Sequence, residues 1–173
     1  MPGLRVLIPD MVYYDLTQDL AKTGAEDIVR WVRRHQGQVE IIVTSVFAEF
    51  QVLRAADERT RSNGRGEQSA LEVLNSEIDK DSDLEAILLF EDNDVRRRRF
   101  VRGLPERVTA LLTGDLLQEL EAAGRIQSSD RILDAAAERE RNVATLRHAQ
   151  GDNEARAALR GQLARRGDPP GEK

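Results

Sequence analysis

Four acidic residues lie at positions in the sequence where an active or binding site is expected: Asp10, Glu49, Glu67 and Asp92. Asp10, Glu49 and Asp92 each follow a predicted β-strand, and Glu67 opens the helix that precedes the strand before Asp92. The carboxyl ends of parallel strands share one sheet edge, and the functional crevice of an open α/β sheet lies beyond it. The four carboxylates can therefore converge at one edge of a sheet.

Carboxylates gathered in this way repel one another, which raises some of their pKa values. A hard divalent cation removes the repulsion, and ligation by oxygen alone suits Mg²⁺ or Mn²⁺. A cation held there can deliver hydroxide and stabilise negative charge on a phosphodiester. Arg96–Arg99 follow the acids directly and supply cations for a phosphate backbone. Helical spacing places Arg96 and Arg99 on one side, so we expect one or both of them to contact phosphate.

Each of these residues also has a purely structural interpretation. Asp92 and Asp94 can cap the helix that follows their strand. Glu67 lies in a first helical turn, where a glutamate is often only a partner of the helix dipole. A run of arginines is most often a solvated face. Residue spacing alone leaves both interpretations open.

Alternating strands and helices must position these side chains. Strands are predicted over residues 4–8, 39–43, 86–90 and 107–112, and helices over 16–22, 25–35, 46–59, 67–77, 93–101, 113–124 and 130–141. The alternation predicts an α/β fold, a three-layer α/β/α arrangement with a mostly parallel central sheet. The unbroken apolar run 86–90 predicts a strand covered on both faces. The helical spacing of Ile28, Trp31 and Val32 predicts that Trp31 faces the core.

Composition excludes several classes of function. The 173 residues contain no cysteine, which excludes disulfides, thiolate zinc sites and a cysteine nucleophile. Two histidines, His35 and His148, both interpreted as solvated, argue against a His-rich metal site. A net charge of −5 argues against a generally basic nucleic-acid binder but allows a local basic patch. No apolar run approaches the roughly 18 residues of a membrane span, and no signal-peptide pattern is present, so a cytoplasmic protein is expected.

Five stretches of the chain, taken in order, resemble the PIN-domain family of nucleases. They are the strand ending in Asp10, VTSVFAEF with Glu49, GRGEQSAL with Glu67, ILLFEDNDVRRRR with Asp92 and Asp94, and LLTGDLLQELEAAGRI. Their order and spacing resemble the subgroup of that family with a GE motif. The resemblance covers residues 4–127 and none of the C-terminal tail.

The resemblance implies a Mg²⁺- or Mn²⁺-dependent endoribonuclease, in this family often the toxin of a bacterial toxin–antitoxin pair. Carried over residue by residue, it implies metal-site acids that also act in catalysis at Asp10, Glu49, Glu67 and Asp92, supported by Asp94 as a further metal ligand. The partners that it implies are RNA, an antitoxin protein and a second copy of the chain. Met11 departs from the pattern, because the family usually has a small hydroxyl residue after the first acid.

The predicted division of the chain is a PIN-like nuclease domain over 1–127, a C-terminal helix over 128–150 and a charged, flexible tail over 151–173. The tail has too little apolar content to form a core. Two alternatives to a nuclease stay open: a catalytically inactive PIN-like module that binds RNA or a protein partner, and a regulatory domain with Asp10 and Asp92 in an acidic pocket. The second lacks a lysine after a late strand to complete that pocket.

Overall fold

The computed structural model describes residues 5–90, 104–139 and 153–165. The chain forms two units, Met1–Leu84 and Glu85–Lys173, and each contains a two-stranded parallel sheet with helices. The chain is therefore of the predicted α/β class, and its elements are compatible with a three-layer α/β/α fold, although the sheets are small. The boundary at Leu84 lies inside the domain predicted over 1–127, and that division stays a prediction.

In the first unit, strands β1 (Val6–Pro9) and β2 (Val39–Ile42) pair in parallel, with Pro9 opposite Ile42. Its helices are α1 (Asp10–Thr17), α2 (Ala25–Arg34), α3 (Ser45–Ala56) and α4 (Arg65–Lys80). The parallel register means that Asp10 and Thr44, just beyond the two strands, leave the sheet at the same edge. The buried apolar side chains of this unit are Met11, Ala25, Val39, Phe50, Val73, Leu74 and Ile78.

The helix predicted over 16–22 was wrong, because the helix begins at Asp10, directly after β1, and ends at Thr17. Pro9 ends the strand and is also the N-cap of α1, with a φ of −58° that suits helix entry. Asp10 lies in the first turn, where a negative charge complements the helix dipole. Near the other end, the Thr17 hydroxyl donates a hydrogen bond to the Tyr13 carbonyl at 2.7 Å. The apolar and aromatic residues after Asp10 are thus the body of a helix and not a link to one.

The prediction that Trp31 faces the core was also wrong, since this residue is 41 % exposed. The buried side of α2 centres on Ala25 and includes the half-buried Ile28 and Val32. At 3.6 residues per turn, Trp31 points roughly 110° away from the centre of that side. Its ring lies 5.4 Å from the ring of His35 at the end of the helix. Three apolar residues at helical spacing therefore indicate which side of a helix is apolar, but not which of the three side chains is buried.

In the second unit, strands β3 (Ala86–Phe90) and β4 (Val108–Leu112) pair in parallel, with Ala86 opposite Val108. The helices that follow are α5 (Thr113–Ala122), α6 (Ser129–Glu138) and α7 (Asn153–Arg165). The buried apolar side chains here are Val108, Leu111, Leu112, Leu133 and Leu159. Within the described ranges, every helix is too short or too polar to span a lipid bilayer.

The more deeply buried strand of this sheet is β4, although the sequence predicted that β3 is covered on both faces. The apolar run of β3 predicts a strand covered on both faces, but its residues are half-buried and Leu89 is 48 % exposed. Four of the five residues of β4 are buried, because α5 and α7 both pack against that strand. An apolar run therefore identified a strand correctly without identifying how deeply it is buried.

The C-terminal region differs from the predicted flexible tail over 151–173, because α7 forms within it. Leu159 of this helix is 1 % exposed and packs in the unit that contains β4 and α5. Leu159, together with Arg156 and Arg160, which pair with Glu119, contacts this unit, although the mean composition of the segment resembles a disordered tail. The helix predicted over 93–101 lies outside the described residues.

Candidate active site

Asp10 is 9 % exposed, and its carboxylate accepts three hydrogen bonds. The Thr44 hydroxyl donates to Oδ1 at 2.6 Å, and the Thr44 backbone N–H donates to Oδ2 at 3.0 Å. The Met11 backbone N–H donates to Oδ1 at 2.9 Å. A carboxylate offers about four acceptor positions, so Oδ2 keeps the capacity to accept a further donor or a cation.

Thr44 supplies the hydroxyl that the sequence lacks directly after Asp10. Met11 cannot play that role, because its thioether has no hydrogen to donate, and its side chain is 0 % exposed and belongs to the core. Thr44 is also the N-cap of α3, and its hydroxyl oxygen accepts a hydrogen bond from the Phe47 N–H at 3.2 Å. A single hydroxyl therefore orients the Asp10 carboxylate and caps a helix.

The donors to Asp10 among the described residues are all neutral. Among the described residues, no arginine, lysine or histidine forms an ion pair with Asp10. A buried carboxylate held only by N–H and O–H groups keeps its negative charge uncompensated, and such a charge attracts a cation. This arrangement suits a metal ligand as well as a structural link between two strand ends.

An aromatic cluster fixes α1 against α3 next to this link. The Tyr14 ring centroid lies 5.3 Å from that of Phe47 and 5.8 Å from that of Phe50. The Arg54 guanidinium lies 5.8 Å from both the Tyr14 and the Phe50 ring centroids, within the range of a cation–π interaction. These contacts hold the start of α3, and with it Thr44, in place relative to α1.

Glu49 lies on α3 with its side chain 67 % exposed, and its carboxylate is 3.5 Å from the Arg65 guanidinium. Arg65 also lies over the Phe50 ring, with 5.8 Å between the guanidinium carbon and the ring centroid. Because Arg65 begins α4, this ion pair brings Glu49 beside the helical turn that carries Glu67. The structure thus places Glu49 near the first turn of α4.

Asp15 is an acid that the sequence did not single out. Burial raises the pKa of Asp15 above its usual value, and the negative charge of Glu67 acts in the same direction. A hydrogen bond with Ser62 and the charges of Lys22 and Arg54 lower that pKa without cancelling the rise. No local pattern marks Asp15, because it lies in an aromatic stretch and meets Glu67 only through the packing of α1 on α4.

The remaining predicted residues, Asp92, Asp94, Arg96 and Arg99, lie outside the described residues. Within the described ranges, no three His, Asp or Glu side chains are grouped so as to hold a metal ion. The predicted site also requires Asp92, and the four-acid site stays a prediction.

Comparisons of the chain with protein-family models, curated proteins and solved structures find no match. The likeness to PIN-domain nucleases consequently rests on the five stretches of sequence named above. Within the described residues, Asp10 and the groups that hold it are the best-defined part of the candidate site.

Proposed function

We propose that the chain is a divalent-metal-dependent endoribonuclease that hydrolyses RNA phosphodiester bonds and uses Mg²⁺ or Mn²⁺. One observation supports this most directly. Asp10 is a buried carboxylate beyond the end of a parallel strand, and neutral donors orient it while Oδ2 keeps acceptor capacity. That is the arrangement expected of an oxygen ligand awaiting a hard cation.

The proposed roles follow from position. Asp10, Glu67 and Asp92 would hold the cation, and Glu67 lies in the first turn of α4. Glu49 and Asp94 would complete the oxygen ligands that the resemblance implies. A bound Mg²⁺ or Mn²⁺ supplies an activated water and neutralises charge on the phosphodiester. Thr44 keeps the Asp10 carboxylate in one orientation.

The decisive experiment measures Mn²⁺ binding by calorimetry and cleavage of single-stranded RNA with the metal present or chelated. Asp10→Asn and Asp92→Asn should each abolish metal-dependent cleavage, because an amide lacks the charge that holds the cation. Asp79→Asn is the matched control, since Asp79 is an exposed acid on α4. If the parent protein binds no Mn²⁺ and cuts no RNA, the alternative of an inactive module that binds RNA or a protein replaces the enzyme.

RNA contact is proposed to run through Arg96 and Arg99. Replacing both with Ala should weaken RNA binding evenly across sequences. It should also reduce the slope of log affinity against log salt by roughly 0.7 per lost single-strand phosphate contact. An unchanged slope means that these arginines are only a solvated face.

The toxin role, an antitoxin partner, a homodimer and a cytoplasmic location are proposals that rest on the PIN-domain resemblance or on sequence composition. Expression of the chain in a bacterial host should arrest growth, and Asp10→Asn should relieve the arrest. Light scattering should give twice the mass of 19.4 kDa for the homodimer. Growth without arrest would contradict the toxin role while leaving the nuclease proposal to the cleavage assay.

A further inference from the structure

Glu72, on α4, is bound to the start of α3 by three hydrogen bonds. The Ser45 backbone N–H donates to Oε1 at 2.7 Å, the Ser45 hydroxyl donates to Oε2 at 2.9 Å, and the Val46 N–H donates to Oε2 at 3.2 Å. Glu72 is separated from Ser45 by 27 positions, so this contact exists only because α4 packs against α3.

The first N–H groups of a helix have no partner within the helix and must find one elsewhere. In α3 two carboxylates and one hydroxyl provide all of these partners. The four pairs are Thr44 N–H to Asp10, Ser45 N–H to Glu72, Val46 N–H to Glu72, and Phe47 N–H to the Thr44 hydroxyl oxygen. The next N–H, that of Ala48, already bonds within the helix to the Thr44 carbonyl at 3.3 Å. Asp10 and Glu72 thus share one helix start.

This sharing couples Glu72 to Asp10 through a single residue. Glu72 accepts the hydrogen bond of the Ser45 N–H, and the residue directly before Ser45 is Thr44. Thr44 in turn donates hydrogen bonds to both carboxylate oxygens of Asp10. If the first turn of α3 frays, the Thr44 hydroxyl and N–H lose their fixed direction toward Asp10.

Charge favours the same arrangement. Hydrogen bonds from the Ser45 backbone, the Ser45 hydroxyl and the Val46 backbone lower the pKa of Glu72 despite partial burial. Glu72 is therefore ionised at neutral pH, and a negative charge at a helix N-terminus interacts favourably with the helix dipole. Glu72 also lies on the same helix as Glu67, at a distance of about 7.5 Å along the axis for five residues.

We propose that Glu72 is a positioning residue for the candidate site: by holding the first turn of α3, it fixes Thr44 and so the orientation of the Asp10 carboxylate. Its meaning for catalysis rests on the proposed nuclease function. Residues that orient a metal ligand without touching the metal typically change metal affinity by about 10–100-fold when they are replaced.

The test compares Glu72→Gln with Glu77→Gln in the full chain. Glu77 is the matched control because it lies on the same helix and its pKa is also lowered, but its partners are the side chains of Lys80 and Arg5. Glu72→Gln should weaken Mn²⁺ binding by about 10–100-fold and lower kcat more than it raises KM. Glu77→Gln should leave both unchanged. Ser45→Ala, which removes only the hydroxyl contact, should have an intermediate effect.

A measurement without metal separates this proposal from the nuclease proposal. NMR of the metal-free protein should show faster exchange of the Thr44 amide and a shifted carboxyl carbon signal of Asp10 in Glu72→Gln, and no such change in Glu77→Gln. These changes support the positioning role even if the parent protein binds no Mn²⁺, in which case only the nuclease proposal falls. Unchanged Thr44 and Asp10 signals in a folded Glu72→Gln protein overturn the positioning role, whether or not the parent protein cuts RNA.

Discussion

Asp10 in the first unit and Glu119 in the second are both buried carboxylates on a helix that follows a parallel strand, and the two are held in opposite ways. Asp10, in the first unit, is 9 % exposed and accepts hydrogen bonds from N–H and O–H groups that carry no charge. Glu119, in the second unit, is 1 % exposed and is held by Arg156 and Arg160 of α7. Each arginine Nε lies 2.6 Å from a carboxylate oxygen, and an Arg160 Nη2 contact at 3.2 Å adds a third bond.

The difference separates a candidate ligand from a structural anchor. Two cations already compensate the charge of Glu119, so a metal ion would have to displace them. Among the described residues, Asp10 accepts hydrogen bonds only from uncharged groups, which orient the carboxylate without supplying a positive charge. Burial alone therefore does not distinguish these two acids, whereas the charge of their partners does.

The largest expected effect is a loss of stability on changing α7, the helix that carries Arg156 and Arg160. Leu159→Ala should lower the free energy of unfolding by about 2–5 kcal/mol, because a fully buried leucine leaves a cavity. Ile132→Ala, a change at an apolar residue that is 43 % exposed, should cost much less. Urea unfolding of both variants measures the difference. Equal, small losses would mean that α7 is not part of the second core and that Glu119 is not anchored as described.

The next effect tests Asp10 directly. Crowding among acids predicts that loss of one charge leaves metal-free stability equal or higher, but the three hydrogen bonds to Asp10 predict the reverse. Asp10→Asn should cost about 1–3 kcal/mol without metal, because an amide N–H group then faces the Thr44 N–H. Added Mn²⁺ should raise the melting temperature of the parent protein by mass action and that of the variant much less.

Glu119→Gln serves as the counterpart in the second unit. It should leave the stabilisation by Mn²⁺ at the parent level, since Glu119 is not proposed to bind metal. If Mn²⁺ raises the melting temperature of Asp10→Asn as much as that of the parent protein, Asp10 is no ligand and the contrast between the two carboxylates fails.

A smaller effect is expected at the hydroxyl that orients Asp10. Thr44→Val keeps the shape of the side chain but removes the helix cap and the bond to Oδ1. It should cost about 0.5–2 kcal/mol, the usual value of an N-cap, and it should weaken Mn²⁺ binding. Thr44→Ser keeps the hydroxyl and should restore most of both. Failure of Ser to restore metal binding would assign the effect to packing by the lost methyl group.

The smallest effect is a dependence of stability on pH. Burial by itself raises the pKa of Glu119, but the hydrogen bonds and charges of Arg160 and Arg156 outweigh it and hold the pKa below its usual value. A lowered pKa in the folded state means that the stabilisation is present above the unfolded pKa and is lost as the pH falls through the folded one. Thermal melts across the acid range should show this loss in the parent protein, and Glu119→Gln should flatten it.

Local patterns in the sequence determined the elements and several of their ends. The helix α2 and the strands β2, β3 and β4 lie close to their predicted ranges, and the hydroxyl residues Thr44 and Ser128 are the N-caps of α3 and α6. Periodicity and caps act between residues a few positions apart, so they can be read from the chain directly. The acids Asp10 and Glu67 were identified for the same reason, from their positions beside a strand end and a helix start.

Only the tertiary structure decided which groups those acids meet and which surfaces are covered. The Thr44 donors to Asp10 are 34 positions away, the bond between Ser45 and Glu72 spans 27, and that between Glu119 and Arg160 spans 41. Such partners depend on how helices pack, which no local pattern specifies. The exposed Trp31 and the buried Leu159 have the same cause, because burial depends on what packs against a face and not on its composition.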